Sequence, residues 1–243
     1  MRTFSFAKRT AKEILRDPLT LLFGLGFPCV LILLLSAIQA NVPVSMFEIN
    51  ALAPAMTIFG LSFMTLFSAS LIAKDRESAF LVRLYATPMR ALHFVLGYTL
   101  PLLPMALLQS LSCFIVGFFL GLDVTVNVLW CLFFIIPVAL FFIALGLLFG
   151  SILTQKQAGG ICGGLLTNLS AWLSGIWFDV QLVGGAFETV ANLLPFAHAV
   201  KLEKAVFAGN FEDVLLSLLV VLGYALATTL VAVLLFLRQM KKR

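Results

Sequence analysis

Six long apolar runs constrain the fold of this chain more than any other feature. They lie at roughly 19–39, 51–73, 93–120, 127–150, 158–178 and 211–237. A helix needs about 20 apolar residues to cross the hydrocarbon core of a bilayer. The chain is 62% hydrophobic and only 11% charged, and no soluble core of this size could bury so much apolar surface. The runs predict an all-α polytopic membrane protein with six transmembrane helices, forming a single transmembrane domain over residues 1–243.

The placement of lysine and arginine predicts the orientation of these helices. Fourteen of the 16 basic residues lie in four segments on one side, which are 1–18, 74–92, 151–157 and 238–243. The opposite segment 179–210 carries the other two, Lys201 and Lys204. Because cytoplasmic loops are enriched in Lys and Arg, both termini are predicted to be cytoplasmic. Basic residues beside apolar runs are typical of contacts with anionic lipid, and nucleic acid is not an expected partner.

Two segments outside the runs are predicted to form interfacial helices. The first covers residues 1–18 and combines an apolar face with a basic stripe. The apolar face is predicted to hold Phe4, Ala7, Ala11 and Ile14, and the stripe holds Lys8, Lys12 and Arg16. The second is the outer segment 179–210, read as two short helices separated by Pro195. Re-entrant helices over an outer vestibule would suit it, and so would a packed surface hairpin without a role in transport.

The cytoplasmic segment 74–92 begins with charged residues and continues with apolar residues spaced i, i+4, up to Pro88. This pattern predicts a short helix with an apolar ridge. The ridge could rest on lipid, or it could dock into a groove on a soluble partner.

Polar and aromatic residues inside the runs are candidates for lining a substrate path. They are Thr57, Ser62 and Thr65 in the second run, and Asn168 and Trp172 in the fifth. The alternative is that the hydroxyls bond to carbonyls of their own helix. GxxxG spacing occurs at Gly146/Gly150 and, doubled, at Gly159 to Gly164. The doubled pair is the better candidate for close packing, within the chain or across a dimer.

The sequence lacks the motifs of several functional classes. The centres of the six runs contain no Asp, Glu, Lys or Arg, which argues against an ion-coupled carrier. The chain has no GxxxxGK[ST] phosphate loop, no HExxH motif and no cysteine cluster. No catalytic residue, metal site or cofactor is therefore expected in this chain, and it is not expected to be an enzyme.

The segment from Lys74 to Arg90 resembles the type-2 ABC transporter permeases. It has that family's charged-Arg-Glu opening and its Leu-x-x-Thr-Pro ending, here Leu84 to Pro88, although Ser78-Ala79 depart from the usual residues. The stretch from Leu194 through His198 to Gly209 is similar to the family's re-entrant segment. The N-terminal amphipathic helix and the topology agree as well.

The resemblance implies a dimer with a second permease copy or a related permease, in a bacterial plasma membrane. Each permease would contact a separate ABC ATPase subunit that holds ATP and Mg. A coupling helix from Asp75 to Ala86 would make this contact through Asp75, Arg76, Glu77, Phe80, Leu81, Leu84 and Tyr85. The complex would export an amphipathic or hydrophobic substrate, such as a drug, a peptide or a lipid-like molecule. The other possibilities are a non-transporting anchor or sensor subunit and, against the charge pattern, an ion-coupled carrier.

Overall fold

A computed structural model describes residues 2–43, 45, 47–78, 80–85 and 91–241, and every element in these ranges is helical. Helix α1 covers Arg2–Arg16. The first apolar run forms α2 (Pro18–Leu21), a π-helical segment (Leu22–Gly26) and α3 (Phe27–Gln39). Then come α4 (Ile49–Glu77), α5 (Phe80–Tyr85), α6 (Ala91–Phe119) and α7 (Asn127–Ile152).

The remaining chain forms shorter helices and one long final helix. The fifth run comprises α8 (Gln155–Ala158), a π-helical segment (Gly159–Leu166) and α9 (Thr167–Leu173). The outer segment comprises α10 (Val180–Val183), α11 (Gly185–Leu193) and α12 (Pro195–Ala208). A 3₁₀ turn (Phe211–Asp213) leads into α13 (Val214–Lys241).

Five helical segments of the described chain are long and apolar enough to cross a membrane. They are Pro18–Gln39, Ile49–Glu77, Ala91–Phe119, Asn127–Ile152 and Phe211–Arg238. The fifth predicted run, 158–178, is helical but is not among them. Its helix begins with the polar residues Gln155 to Gln157, contains four glycines and ends at Leu173, so its mean hydropathy is low. Five spans are therefore supported by length and composition.

Helix α4 is the central helix of the chain. Within its most apolar window 83% of the residues are buried, against 22% for the first segment and 17% for the last. It packs against α6, α7 and α12. The outer faces of the first and last segments are apolar and exposed, as expected for surfaces that contact lipid or another membrane helix.

The closest approach between α4 and α7 occurs at Gly146 and Gly150. A Cβ atom placed on Gly150 would lie 2.7 Å from the Ala69 carbonyl oxygen, so only glycine fits there. At Gly160 and Gly164, by contrast, an added Cβ would meet nothing within 4 Å. Of the doubled pair, Gly163 faces α4, where an added Cβ would lie 3.0 Å from Leu66 Cδ2. The face of Gly160 and Gly164 has no neighbour among the described residues, and its packing across a dimer stays a prediction.

Helix α1 is amphipathic as predicted, but its buried face differs from the predicted one. Phe4 is 75% exposed, whereas Phe6, Ala7 and Ile14 are buried. The reason is tertiary, since α1 packs on α6 and the Phe6 ring sits where Gly97 leaves room for it. Helical spacing alone is compatible with an apolar face that includes Phe4 and with one that includes Phe6.

The outer segment breaks at Pro195 as predicted. Helix α11 ends at Leu193, and Pro195 occupies the first turn of α12, where a missing N–H does no harm. Gly209 ends α12 with a φ of +78°. The structure adds the one-turn helix α10, which the sequence pattern had not indicated. Helix α12 packs against α4, α7 and α13.

The predicted coupling helix from Asp75 to Ala86 is wrong at its beginning. Helix α4 continues without interruption through Asp75 and Arg76 to Glu77, and α5 is a separate helix that begins at Phe80. Asp75, Arg76 and Glu77 form hydrogen bonds with neighbouring helices. Because these bonds hold the three residues at the end of α4, they favour its continuation over the start of a new helix. Ala86 to Pro88, with the predicted Thr-Pro ending, lie outside the described residues.

Candidate functional site

The C-terminal end of α4 holds an ion pair whose acidic partner is buried. The Asp75 side chain is only 2% exposed and accepts two hydrogen bonds from Arg9, with Nη–Oδ distances of 2.6 and 2.7 Å. The Tyr98 hydroxyl donates a third hydrogen bond to the same carboxylate, at 2.8 Å. Such bidentate, charge-assisted bonds are strong and fix the orientation of both groups. One carboxylate thus connects α1, α4 and α6.

Arg9 extends this network along α1. Its Nη2 lies 3.0 Å from a carboxylate oxygen of Glu13, whose other oxygen accepts a bond from Lys74 Nζ at 2.6 Å. Burial tends to lower the pKa of Arg9, but the hydrogen bond and the charge of Asp75 outweigh it and raise that pKa. The guanidinium therefore stays charged, and α1 is joined to the end of α4 by alternating charges.

Helix α5 is attached to the same network through Phe80. The Arg9 guanidinium carbon lies 4.2 Å from the centre of the Phe80 ring, within the range of a cation–π interaction. The Phe80 ring also packs on Phe6, with ring centres 6.3 Å apart, and Phe6 contacts Tyr98 edge to face at 4.9 Å. Leu81 is 1% exposed and completes the inward side of α5. Any displacement of α5 must therefore disturb α1 and α6.

Arg76 joins α4 to the end of α7. Its guanidinium donates to the backbone carbonyl oxygens of Ser151, Ile152 and Leu153, at and just beyond the last turn of that helix. Carbonyls at a helix C-terminus lack intrahelical partners and carry partial negative charge. The Arg76 guanidinium supplies hydrogen-bond donors to these carbonyls, and its positive charge offsets their partial negative charge.

Glu77 joins α4 to the beginning of α8. Its carboxylate accepts a hydrogen bond from the Gln155 backbone N–H at 2.9 Å. Thr154 and Gln157 complete a capping box at the same end. The triplet Asp75-Arg76-Glu77 thus contacts four different elements, which are α1 and α6 through Asp75, α7 through Arg76 and α8 through Glu77.

The residues predicted to contact a partner therefore divide into two groups. Asp75 and Leu81 are buried, and Arg76 is partly buried against backbone carbonyls. Glu77 is exposed, and Phe80 and Leu84 are partly exposed. The Tyr85 side chain lies outside the described part of the chain. In this arrangement one side of α5 is exposed, while its inward side, with Phe80 and Leu81, packs against the rest of the chain.

The hydroxyls predicted in a substrate path lie in the protein interior. Thr57 and Ser62 donate to carbonyls of their own helix, at 2.6 Å each, which is the alternative that the sequence left open. Thr65 donates across to the Phe142 carbonyl of α7, at 2.8 Å. All three are buried between helices of one chain.

Asn168 and Trp172 lie on an exposed face instead. Trp172 is 56% exposed, and Asn168 bonds only to the Gly164 carbonyl of the preceding turn, at 2.7 Å. With Gly160 and Gly164 at the same i, i+4 spacing, they form one stripe along the π-helical segment and α9. The structure does not bring this stripe together with Thr57, Ser62 and Thr65.

Sequence reasoning missed Glu203. This carboxyl is fully buried on α12, and neither of its oxygens has a hydrogen-bond partner among the described residues. The Cys131 thiol of α7 lies 3.8 Å from the Glu203 backbone oxygen. Burial raises the pKa of Glu203 well above its ordinary value. Its i, i+4 relation to Ala199 and Phe207 would have placed it on the apolar face of α12.

Arg9 and Tyr98 were also missed as members of the site. Their sequence positions lie 66 residues before and 23 residues after Asp75, so no local pattern connects them.

Comparison with curated proteins gives no significant match. The profile of a protein family described as ABC-2 type transporter matches residues 1–207. The match includes α1, the Asp75 network, α5 and nearly all of α12. Together with five helices able to cross a membrane, it supports a multi-pass membrane protein that works with an ABC ATPase. The chain belongs to the ABC-2 type transporter family, the membrane-embedded permease component of ABC transporters.

Proposed function

We propose that the chain is the membrane subunit of an ATP-driven exporter for amphipathic or hydrophobic substrates. A separate ATPase subunit would bind ATP and Mg and contact the cytoplasmic face. Two permeases, identical or related, would enclose the path in a bacterial plasma membrane. Both termini would be cytoplasmic, and the fifth run would serve as a sixth, interrupted span.

The observation that carries this proposal is the attachment of α5 to α1, which is bonded in turn to α4 and packed on α6. Phe80 contacts Arg9 and Phe6, and Arg9 is bonded to Asp75 at the end of the central helix α4. A force applied by a partner to the exposed side of α5 would reach α1, α4 and α6 through these contacts. This is the property required of an element that couples nucleotide hydrolysis to helix movement.

The exposed stripe of Gly160, Gly164, Asn168 and Trp172 supports the position of the path. Glycines let a second helix approach closely, and an amide and an indole offer hydrogen bonds to an amphipathic substrate. We propose that this stripe faces the other permease. Thr57, Ser62 and Thr65 would then support the packing of α4 and α7 around the path.

The first test is purification of the tagged chain in mild detergent from its native membrane. An ABC ATPase is expected to co-purify at about one subunit per permease, with ATP hydrolysis stimulated by substrate. Recovery without any ATPase would refute the proposal and favour a non-transporting anchor or sensor.

Variants of the coupling surface provide the second test. Leu84→Asp and Glu77→Ala should leave the fold intact and lower substrate-stimulated ATP hydrolysis about tenfold, a loss typical of an interface residue. Arg238→Glu, at an exposed cytoplasmic position on α13, is the matched control and should keep normal activity. Normal stimulation in both coupling variants would contradict the role assigned to α5.

A further inference from the structure

A large cavity lies between α1, the beginning of the first membrane segment and the cytoplasmic half of α4. Its volume is about 1020 Å³, enough for a molecule larger than most drugs. One wall is formed by α1, and the other by apolar residues of the first segment and α4. Pro18 begins the first segment, so the predicted topology puts the cavity at the level of the cytoplasmic membrane surface.

The charge of the α1 wall is strongly positive. Five basic residues line the cavity: Lys8, Arg9, Lys12, Arg16 and Lys74. Only two acidic residues, Glu13 and Asp17, face them. Both acids are already engaged inside the chain. Glu13 is paired with Arg9 and Lys74, and the Asp17 carboxylate accepts hydrogen bonds from the Leu19 N–H and the Thr20 hydroxyl.

Three cations of this wall remain without a partner among the residues that the structure describes. Lys8, Lys12 and Arg16 make no ion pair or hydrogen bond there, while Arg9 and Lys74 do. The three are spaced i, i+4 and i+8, so neighbouring charges are about 6 Å apart along the helix axis. One multivalent anion, such as a phosphate group, can contact two of them together.

The opposite wall is mainly apolar, with the hydroxyls of Thr20 and Ser70 beside the apolar residues. Phe23 of the first segment and Leu66, Phe67 and Leu71 of α4 line it. Phe23 is 41% exposed, although a large apolar side chain gains by burial. A ligand that fits both walls has a negatively charged head and an apolar tail.

We propose that this cavity binds an anionic amphiphile, with a phosphate-type head group on Lys8, Lys12 and Arg16 and an apolar tail against Phe23, Leu66 and Phe67. The binding itself does not depend on transport. Identification of the bound molecule as the cargo rests on the proposed exporter function. A resident membrane lipid has the same chemistry, so the experiment must distinguish the two.

The test measures binding of phosphatidylglycerol and phosphatidylcholine to the full chain in nonionic detergent, by native mass spectrometry. The wild type should bind the anionic lipid about tenfold more tightly than the neutral one, and more weakly at high salt. The Lys8→Gln/Lys12→Gln/Arg16→Gln variant should lose this preference. Equal binding of both lipids by the wild type would overturn the proposal.

The matched control removes the same charge elsewhere. Arg83→Gln/Lys156→Gln/Arg238→Gln neutralises three exposed cations that do not line the cavity. It should retain the preference, and equal loss in both triple variants would show a general charge effect and refute the site. Lys12→Gln alone should weaken binding about threefold, which tests the site if the triple variant misfolds.

Two further measurements test whether the apolar tail contributes to binding and whether the bound molecule is cargo or a resident lipid. Inorganic phosphate should bind at least about tenfold more weakly than phosphatidylglycerol, since burial of the tail contributes to the affinity. Equal affinity would refute the apolar half of the site. In a complex with the ATPase, ATP turnover should lower lipid occupancy if the amphiphile is cargo. Unchanged occupancy would refute cargo while leaving the binding site established.

Discussion

The buried ion pair between Arg9 and Asp75 should contribute strongly to stability, and a double-mutant cycle can measure it. The perturbations are Asp75→Asn, Arg9→Gln and their combination. Asparagine keeps the volume of the carboxyl and can still accept the bond from Tyr98. The cycle therefore isolates the charge pairing between α1 and α4.

The magnitude follows from the exposure of the two side chains, which is 2% for Asp75 and 38% for Arg9. Removing one partner of a fully buried pair costs about 3–5 kcal/mol, and an exposed pair contributes about 0–1 kcal/mol. Asp75→Asn leaves a cation that water can reach, so we expect a loss of about 2 kcal/mol. Arg9→Gln leaves a buried carboxylate with only the Tyr98 bond, and we expect about 3 kcal/mol.

The assay is the free energy of unfolding, from titration of the purified chain with SDS in nonionic micelles. The double variant should lose about 2 kcal/mol less than the sum of the two single variants. The exposed pair of Lys74 and Glu13 is the internal control, with side-chain exposures of 54% and 19% and an expected coupling below about 1 kcal/mol. A coupling below about 0.5 kcal/mol for Arg9 and Asp75 would refute the reasoning.

Three further predictions concern other parts of the structure. Gly150→Leu should cost at least about 1–3 kcal/mol in the same titration, because its side chain would overlap Ala69; an unchanged midpoint would contradict this. Burial raises the pKa of Glu203 in the folded protein. The stabilising contribution of this carboxyl is therefore present below its ordinary pKa of 4.5 and is lost as the pH rises through the higher folded-state pKa. Glu203→Gln should therefore flatten the decline of unfolding free energy above pH 4.5, and an unaltered slope would exclude Glu203 as its source. Gly164→Leu should weaken self-association about tenfold, as measured by cross-linking or sedimentation. Gly223→Leu, which is also at a position with open space, is the control and should leave self-association unchanged. Equal effects of the two variants would argue against the proposed dimer face.

The apolar runs carried much of the fold prediction, and the positions of Lys and Arg carried the predicted orientation, which stays a prediction. Both depend on local composition, because a bilayer accepts only segments that are apolar and satisfy their own backbone bonds. The break at Pro195 was predictable for a related reason, since proline restricts the backbone wherever it occurs. The doubled glycines show the limit of this reasoning. Their spacing permits close packing, but only the neighbouring helix decides whether packing occurs.

The sequence alone determined that the chain is helical, that it belongs in a membrane and that segment 74–92 differs from an ordinary loop. Only the tertiary structure decided that Asp75 bonds to Arg9 and Tyr98, because those residues are distant along the chain and no periodicity relates them. The same holds for the cavity beside α1, whose basic wall and apolar wall come from separate segments. Composition and periodicity act over one turn of helix, whereas ion pairs and cavities depend on how whole helices approach each other.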